Sequence, residues 1–260
     1  MDKLPFQFLI AIFLLPALLQ GQTNQSEIEE NFKMELVYQL GFVIIPVGEL
    51  WFKKYIVENN QQPGYMLEAN GANFESYDWI YRFSSYHKAV INSKNDQLIY
   101  FEHRLDQNGE QFQESYHLDK KGKKISSKIT DNTKVEKIDT TIITENVKDI
   151  LSAFELIRFL DFDKMQLGLQ KPMALLLNGT ICKISFDYEG KENIVSPDRS
   201  KHQCYKIIVG TITGSVFKNG DELIAWISTD KNRIPVQIKA DVKVGSVCAY
   251  MKNDALFSSK

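Results

Sequence analysis

Over residues 233–244, apolar and polar side chains alternate without a break. Ile234, Val236, Ile238, Ala240, Val242 and Val244 fall on one face, and Pro235, Gln237, Lys239, Asp241 and Lys243 on the other. A period of two belongs to a strand with one side on a core and the other in water. Pro235 lies near the start of the run, where a missing amide donor is tolerated. The same alternation through Leu36, Tyr38, Leu40, Phe42 and Ile44 predicts an early strand. Pro46 and Gly48 then break it before a second strand over 49–57.

The segment 98–118 can be read residue by residue. Asn108-Gly109 accepts the positive φ angles of a two-residue hairpin loop. Centred there, the register sets Phe101 against Tyr116, His103 against Glu114 and Leu105 against Phe112 on one face. Tyr100, Glu102 and Arg104 then share the other face with His117, Ser115 and Gln113. Aromatic cross-strand pairs of this kind contribute a few tenths to about 1 kcal/mol each. His103 and His117 point opposite ways, which argues against a shared metal site.

One segment departs from the strand pattern. In 149–162, Leu151, Phe154, Ile157 and Leu160 recur at helical spacing, with Arg158 and Asp161 on the other side. Asp149 is the favoured N-cap, because the apolar run starts at Ile150, and Ser152 with Glu155 is the alternative. Strand patterns flank this helix on both sides, with no Pro/Gly/Ser-rich linker. The prediction is a mainly β protein: a curved antiparallel sheet or open β-barrel-like domain with one packed α-helix near 149–162.

The first 21 residues have a different character. A short charged start, the apolar block 4–19 and a terminal Gly21 read as a cleavable signal peptide. The block is interrupted by Pro5, Gln7 and Pro16 and is short for a membrane span. No cysteine follows it to take a lipid. The expected organisation is a signal peptide over 1–21, a flexible tail over 22–33, one β-rich domain over 34–250 and a C-terminal tail over 251–260. The expected product is exported to the periplasm or beyond, soluble, not lipidated, and without a transmembrane segment after cleavage.

Composition narrows the partners. The chain is 43% hydrophobic and 25% charged, ordinary for a folded protein, and its formal charge is −2. That balance gives no electrostatic case for nucleic acid. The basic stretch Lys120-Lys121-Gly122-Lys123-Lys124 reads as a solvated turn. Three cysteines, Cys182, Cys204 and Cys248, are too few for a disulfide scaffold. Buried thiols are one reading, and a single Cys182–Cys204 bridge is the other.

Several stretches carry a family resemblance. Val37-Tyr38 with Pro46-Val47-Gly48-Glu49, the helix start Asp149-Ile150-Leu151-Ser152-Ala153-Phe154 with Arg158, and Trp226-Ile227-Ser228-Thr229-Asp230 followed by Arg233-Ile234-Pro235-Val236 keep a common order and spacing. Over about 36–246 the chain resembles an exported bacterial family, the domain of unknown function numbered thirty-one hundred and eight. The resemblance implies an exported, β-rich, barrel-like protein, and it transfers no catalytic residue.

Motifs for nucleophile elbows, zinc helices, phosphate loops and dinucleotide binding are not found. The four histidines, His87, His103, His117 and His202, are scattered, so no metal site, cofactor or catalytic residue is assigned. The aromatic supply is the more suggestive feature, with 16 Phe, 11 Tyr and 3 Trp. Core packing accounts for most of it. A curved sheet enclosing an apolar pocket is the functional reading. The ligand-binding candidates are Trp51, Trp79, Tyr81, Arg158 and Trp226. Arg158 could meet an anionic head group at a pocket mouth, or pair with Glu155 or Asp161 on its own helix. Three functions follow: a non-enzymatic binder or carrier of an apolar ligand such as lipid, an envelope protein-interaction module, and a carboxylate-based glycan hydrolase.

Overall fold

The computed structural model describes residues 28–59, 62–119, 122–132, 134–143, 146–168, 170–213, 223–241 and 244–252. The signal segment, Val242 and Lys243 lie outside the described residues. Among the described residues, fourteen strands make one antiparallel sheet. They are β1 (Ile28–Leu40), β2 (Val43–Asn59), β3 (Gln62–Asn73), β4 (Phe83–Asn92), β5 (Gln97–Gln107), β6 (Glu110–Leu118), β7 (Lys124–Asp131) and β8 (Lys134–Ile142), then β9 (Lys171–Leu177), β10 (Thr180–Val195), β11 (Lys201–Thr213), β12 (Leu223–Ser228), β13 (Pro235–Asp241) and β14 (Ser246–Met251). Helix α1 (Ile150–Arg158) separates the two sets.

Each set is a meander, and the pairing of β1 with β14 fuses them. The order therefore runs from β8 down to β1, across to β14 and down to β9. The sheet does not close by hydrogen bonding, because β8 and β9 stand at its two ends. It curls instead, as sheet twist requires. The backbone of Lys148, just before α1, bonds to Ala174 and Leu176 on the outer edge of β9. The turn after β9 reaches across, and Gly179 N donates to the Tyr116 hydroxyl of β6 at 3.0 Å.

The predicted hairpin register holds throughout, with Phe101 opposite Tyr116, His103 opposite Glu114 and Leu105 opposite Phe112. Asn108 and Gly109 have φ of 53° and 87°, the left-handed pair the tight loop needs. The early alternation resolves differently. It spans a hairpin rather than one strand, with Leu40 opposite Val43 and Gly41 at φ 59° in the loop. Leu40, Phe42 and Ile44 are exposed as a consequence. Pro46 and Gly48 do not end a strand either. They flank a bulge inside β2, where Leu36 faces Gly48 and Val37 faces Pro46. Strand β1 begins at Ile28, inside the stretch read as a flexible tail.

In β13 the alternation holds from Gln237 to Asp241, but a bulge at Val236 turns that side chain to the outer face beside Trp226 and leaves Pro235 buried. Val236, Ile238 and Ala240 are buried, as is Ile234 before the strand, while Val244 beyond it is exposed. Helix α1 starts at the expected cap: the Asp149 carboxylate accepts from Leu151 N at 2.8 Å and Ser152 N at 3.2 Å. Such a cap contributes about 1 kcal/mol. The helix lies inside the curl, and Phe154 packs edge-on against Phe52, which stacks on Phe32 with ring centres 4.8 Å apart.

The three cysteines are free. Cys204 faces Glu192, and Cys182 lies ten positions back along the same strand as Glu192. At about 3.3 Å per residue that is roughly 30 Å, far beyond disulfide reach. Burial raises all three thiol pKa values, that of Cys204 to about 12.

Candidate functional site

Two adjacent voids occupy the concave side of the sheet. The first is an apolar cavity of about 110 Å³ between α1 and the strands. Its walls include Met34, Phe52, Ala69, Phe154, Ile207, Ala225 and Ile238, and among the described residues no charged one lines it. Period-two alternation on the strands and the apolar stripe of α1 place these side chains inward together.

The second void is a cleft of about 220 Å³ over β4–β7. Ile150 and Leu177 line both voids. The floor of the cleft is polar and buried, made by His87, His103 and Glu114 with Phe101 beside them. Its rim is exposed and carries Glu110, Gln111, Asp131 and Asn178.

The floor is a row across the sheet, since His87 faces His103 and His103 faces Glu114 on successive strands. The two imidazoles stack with centres 4.1 Å apart. Ser85 Oγ lies 3.2 Å from His87 Nε2 and 3.0 Å from His103 Nε2. His103 Nδ1 stands 3.4 Å from Glu114 Oε1, and the Tyr116 hydroxyl donates to Glu114 Oε2. Burial, followed by the charge of Glu114, raises the Tyr116 pKa and keeps this donor protonated. A proton on His103 Nδ1, toward Glu114, leaves Nε2 to accept from Ser85, whose oxygen then accepts from His87. The row is thus one directional chain of hydrogen-bonding groups.

This chain has the contact order of a nucleophile, a base and an acid, but Ser85 is fully buried and does not line the cleft. It sits within a regular strand rather than on the strained turn that presents a nucleophile. The arrangement holds and polarises the floor. It does not offer Ser85 to a substrate.

The histidines correct the sequence reading, which treated them as scattered. The β4–β5 hairpin brings His87 and His103 together, and the turn-forming stretch Asn92 to Asp96 was the signal that could have shown it. Among the described residues, no group of three or more His, Cys, Asp or Glu side chains has an arrangement that could hold a metal ion.

None of the five aromatic and arginine candidates lines either void. Trp51 points outward from β2, half-exposed, with Lys33 Nζ 4.8 Å from its ring. Trp79 lies in the β3–β4 connection and is 84% exposed. Tyr81 is partly buried and accepts a hydrogen bond from Gln107. Trp226 packs on the outer face with Val236 and Cys204, and its indole donates to Glu192 at 2.9 Å.

Arg158 is fully buried, away from any mouth. It donates to Arg233 O at 2.8 Å, Asn232 O at 3.1 Å, Glu155 at 2.9 Å and both oxygens of Glu30. Asp161 pairs with Lys164 instead. The guanidinium ties β1, α1 and the β12–β13 loop together, with Phe32, Phe52 and Phe154 around it. Asp230 and Arg233 shape that loop: Asp230 Oδ1 accepts from Asn232 N, and Arg233 has φ 52°.

A curled, unclosed antiparallel sheet wrapped on an internal helix, with two adjacent voids, is a β-barrel-like fold. The chain belongs to the family described as Protein of unknown function (DUF3108), whose profile matches residues 35–252. A solved structure of a beta-barrel-like protein of domain of unknown function DUF1849 from Brucella abortus is similar, with a TM-score of 0.58 at 9% identity. The match covers 85% of this chain and 95% of that one. At that identity the likeness is one of fold alone. No curated protein sequence matches the chain. Among the described residues no helix is long and apolar enough to cross a membrane.

Proposed function

We propose that the protein is an exported envelope protein that binds a small amphiphile inside the curled sheet, the apolar tail against α1 and the head in the polar cleft. The observation that carries this reading is the adjacency of an apolar void and a polar one, which share Ile150 and Leu177 in their walls. Apolar walls with a few convergent polar groups are the usual make-up of a ligand pocket. The volumes suit a short chain rather than a full phospholipid. The placement of Trp51 and Trp79 supports roles at the outer surface instead of in the pocket. Export rests on the leader-like first 21 residues.

Organic extraction of protein purified without detergent, followed by mass spectrometry, tests the reading. A stoichiometric amphiphile supports it. Delipidated protein that neither yields nor rebinds any short-chain amphiphile refutes it.

A second reading has one observation in its favour. Glu110, Glu114 and Asp131 line the same cleft, and a glycosidase needs two carboxyl groups on one site. Glu114 is already engaged by His103 and Tyr116, which weighs for binding over catalysis. Hydrolysis of aryl glycosides by the wild type, lost in Glu114→Gln, would favour this alternative.

A further inference from the structure

The cleft's chemistry carries the binding reading further, to the kind of head group it accepts. We infer that the cleft selects amphiphiles whose head donates hydrogen bonds and bears no negative charge, with an ammonium head favoured. This rests on the proposal that the voids bind an amphiphile.

Apart from His87 and His103, the polar lining is carboxylate and carboxamide. Carboxylates come from Glu110, Glu114 and Asp131, and carboxamide oxygens from Gln111 and Asn178. Among the described residues, no lysine or arginine lines the cleft. Two neighbouring cations are held in ion pairs. Lys137, behind the Asn178-Gly179 turn, is paired with Asp139 at 3.2 Å, and Arg82, beside Gly109, with Asp106 at 3.2 Å.

An anionic head would therefore meet like charge on a partly desolvated floor with no fixed cation to neutralise it. An ammonium meets the reverse, and its N–H donors find carboxylate and amide oxygens. A hydroxylated head also supplies donors and stands between the two. The rings of Phe101 and Phe112 on the cleft wall add aromatic faces, which attract cations.

Calorimetric titration near neutral pH with octylamine, octyl glucoside and octanoate separates the cases, since all three share one tail. Octylamine is expected to bind about tenfold more tightly than octanoate, with octyl glucoside between them. Neutralising the exposed rim in an E110Q/D131N variant should narrow the amine-to-octanoate ratio about threefold without disturbing the core. Filling the apolar cavity by Ala225→Leu, or separately by Ala69→Leu, should remove octylamine binding from folded protein. Octanoate binding as tightly as octylamine overturns the head-group inference and leaves the binding reading standing. Octylamine binding undiminished in both filled variants places it on the surface and overturns the inference. No binding by any of the three overturns the binding reading itself.

Discussion

His87 and His103 stack face to face with ring centres 4.1 Å apart and both reach the hydroxyl of Ser85. Two imidazoles held this way on adjacent strands fix the floor of the cleft, because neither ring can rotate without breaking the shared contact. The row continues through Glu114 to Tyr116 and ends on the backbone of Gly179, at the turn that leans across the open side of the sheet. The polar row therefore also helps hold the curl.

That coupling predicts non-additive energetics. His103→Phe should cost about 3 kcal/mol, because it strands the buried Glu114 carboxylate. Combining it with Glu114→Gln should cost clearly less than the sum of the single changes. Urea unfolding of the three variants checks this. Strict additivity would mean that the two groups do not act as a pair.

Arg158 should prove to be a structural clasp. Removing it leaves Glu30 and Glu155 with a lost partner in a buried setting, so Arg158→Met is expected to cost about 3–5 kcal/mol. Arg158→Lys should rescue little, since one ammonium cannot reproduce a fork aimed at two carboxylates and two carbonyls. A lysine variant as stable as the wild type would contradict the assignment.

Acid should stabilise the fold before it unfolds it. Burial raises the Glu30 carboxyl above its usual 4.5 despite Arg158, and burial raises Asp149 despite its capping bonds. Both hold a proton more tightly folded than unfolded. Their contribution is full below the usual carboxylate range and is lost as pH rises through the raised folded values. Asp163 and Asp198 are shifted the other way, by hydrogen bonds from Lys191 and Ser200. The stability they contribute disappears only as pH falls below 3.8, their unshifted value, through the lowered folded ones. Tm should therefore climb as pH falls from neutral toward the usual carboxylate range and drop once pH falls below 3.8. Glu30→Gln should flatten the climb. A Tm that falls steadily from neutral pH would contradict this.

Thiol titration of unfolded, unreduced protein should count three free groups. In the folded state Cys182, partly exposed, should react first, and the buried Cys204 and Cys248 slowly. A count of one would restore the Cys182–Cys204 bridge that the strand register excludes.

Much of the fold was legible because it is local. The Asn108-Gly109 loop fixed a whole hairpin register, and Asp149 announced the helix, since both signals depend only on neighbouring residues. The Gly41-Phe42 turn was missed because Leu40, Phe42 and Ile44 keep an apolar rhythm through a loop where no core receives them. The site was less legible. His103 and Glu114 were paired correctly, but His87 joins them through a different hairpin, and both voids form only when the ends of the sheet curl together. Arg158 looked like a ligand group because its strongest partner, Glu30, lies 128 positions away in the chain.

Methyl NMR of the delipidated protein titrated with octyl glucoside reads out whether a tail enters the sheet. Binding inside the curl is expected to shift the cavity methyls of Leu151, Ile207 and Ile238 and those of Ile150 and Leu177, which line both voids. Shifts confined to exposed methyls such as Leu40, Ile44 and Ile138, or no shifts at all, would contradict it.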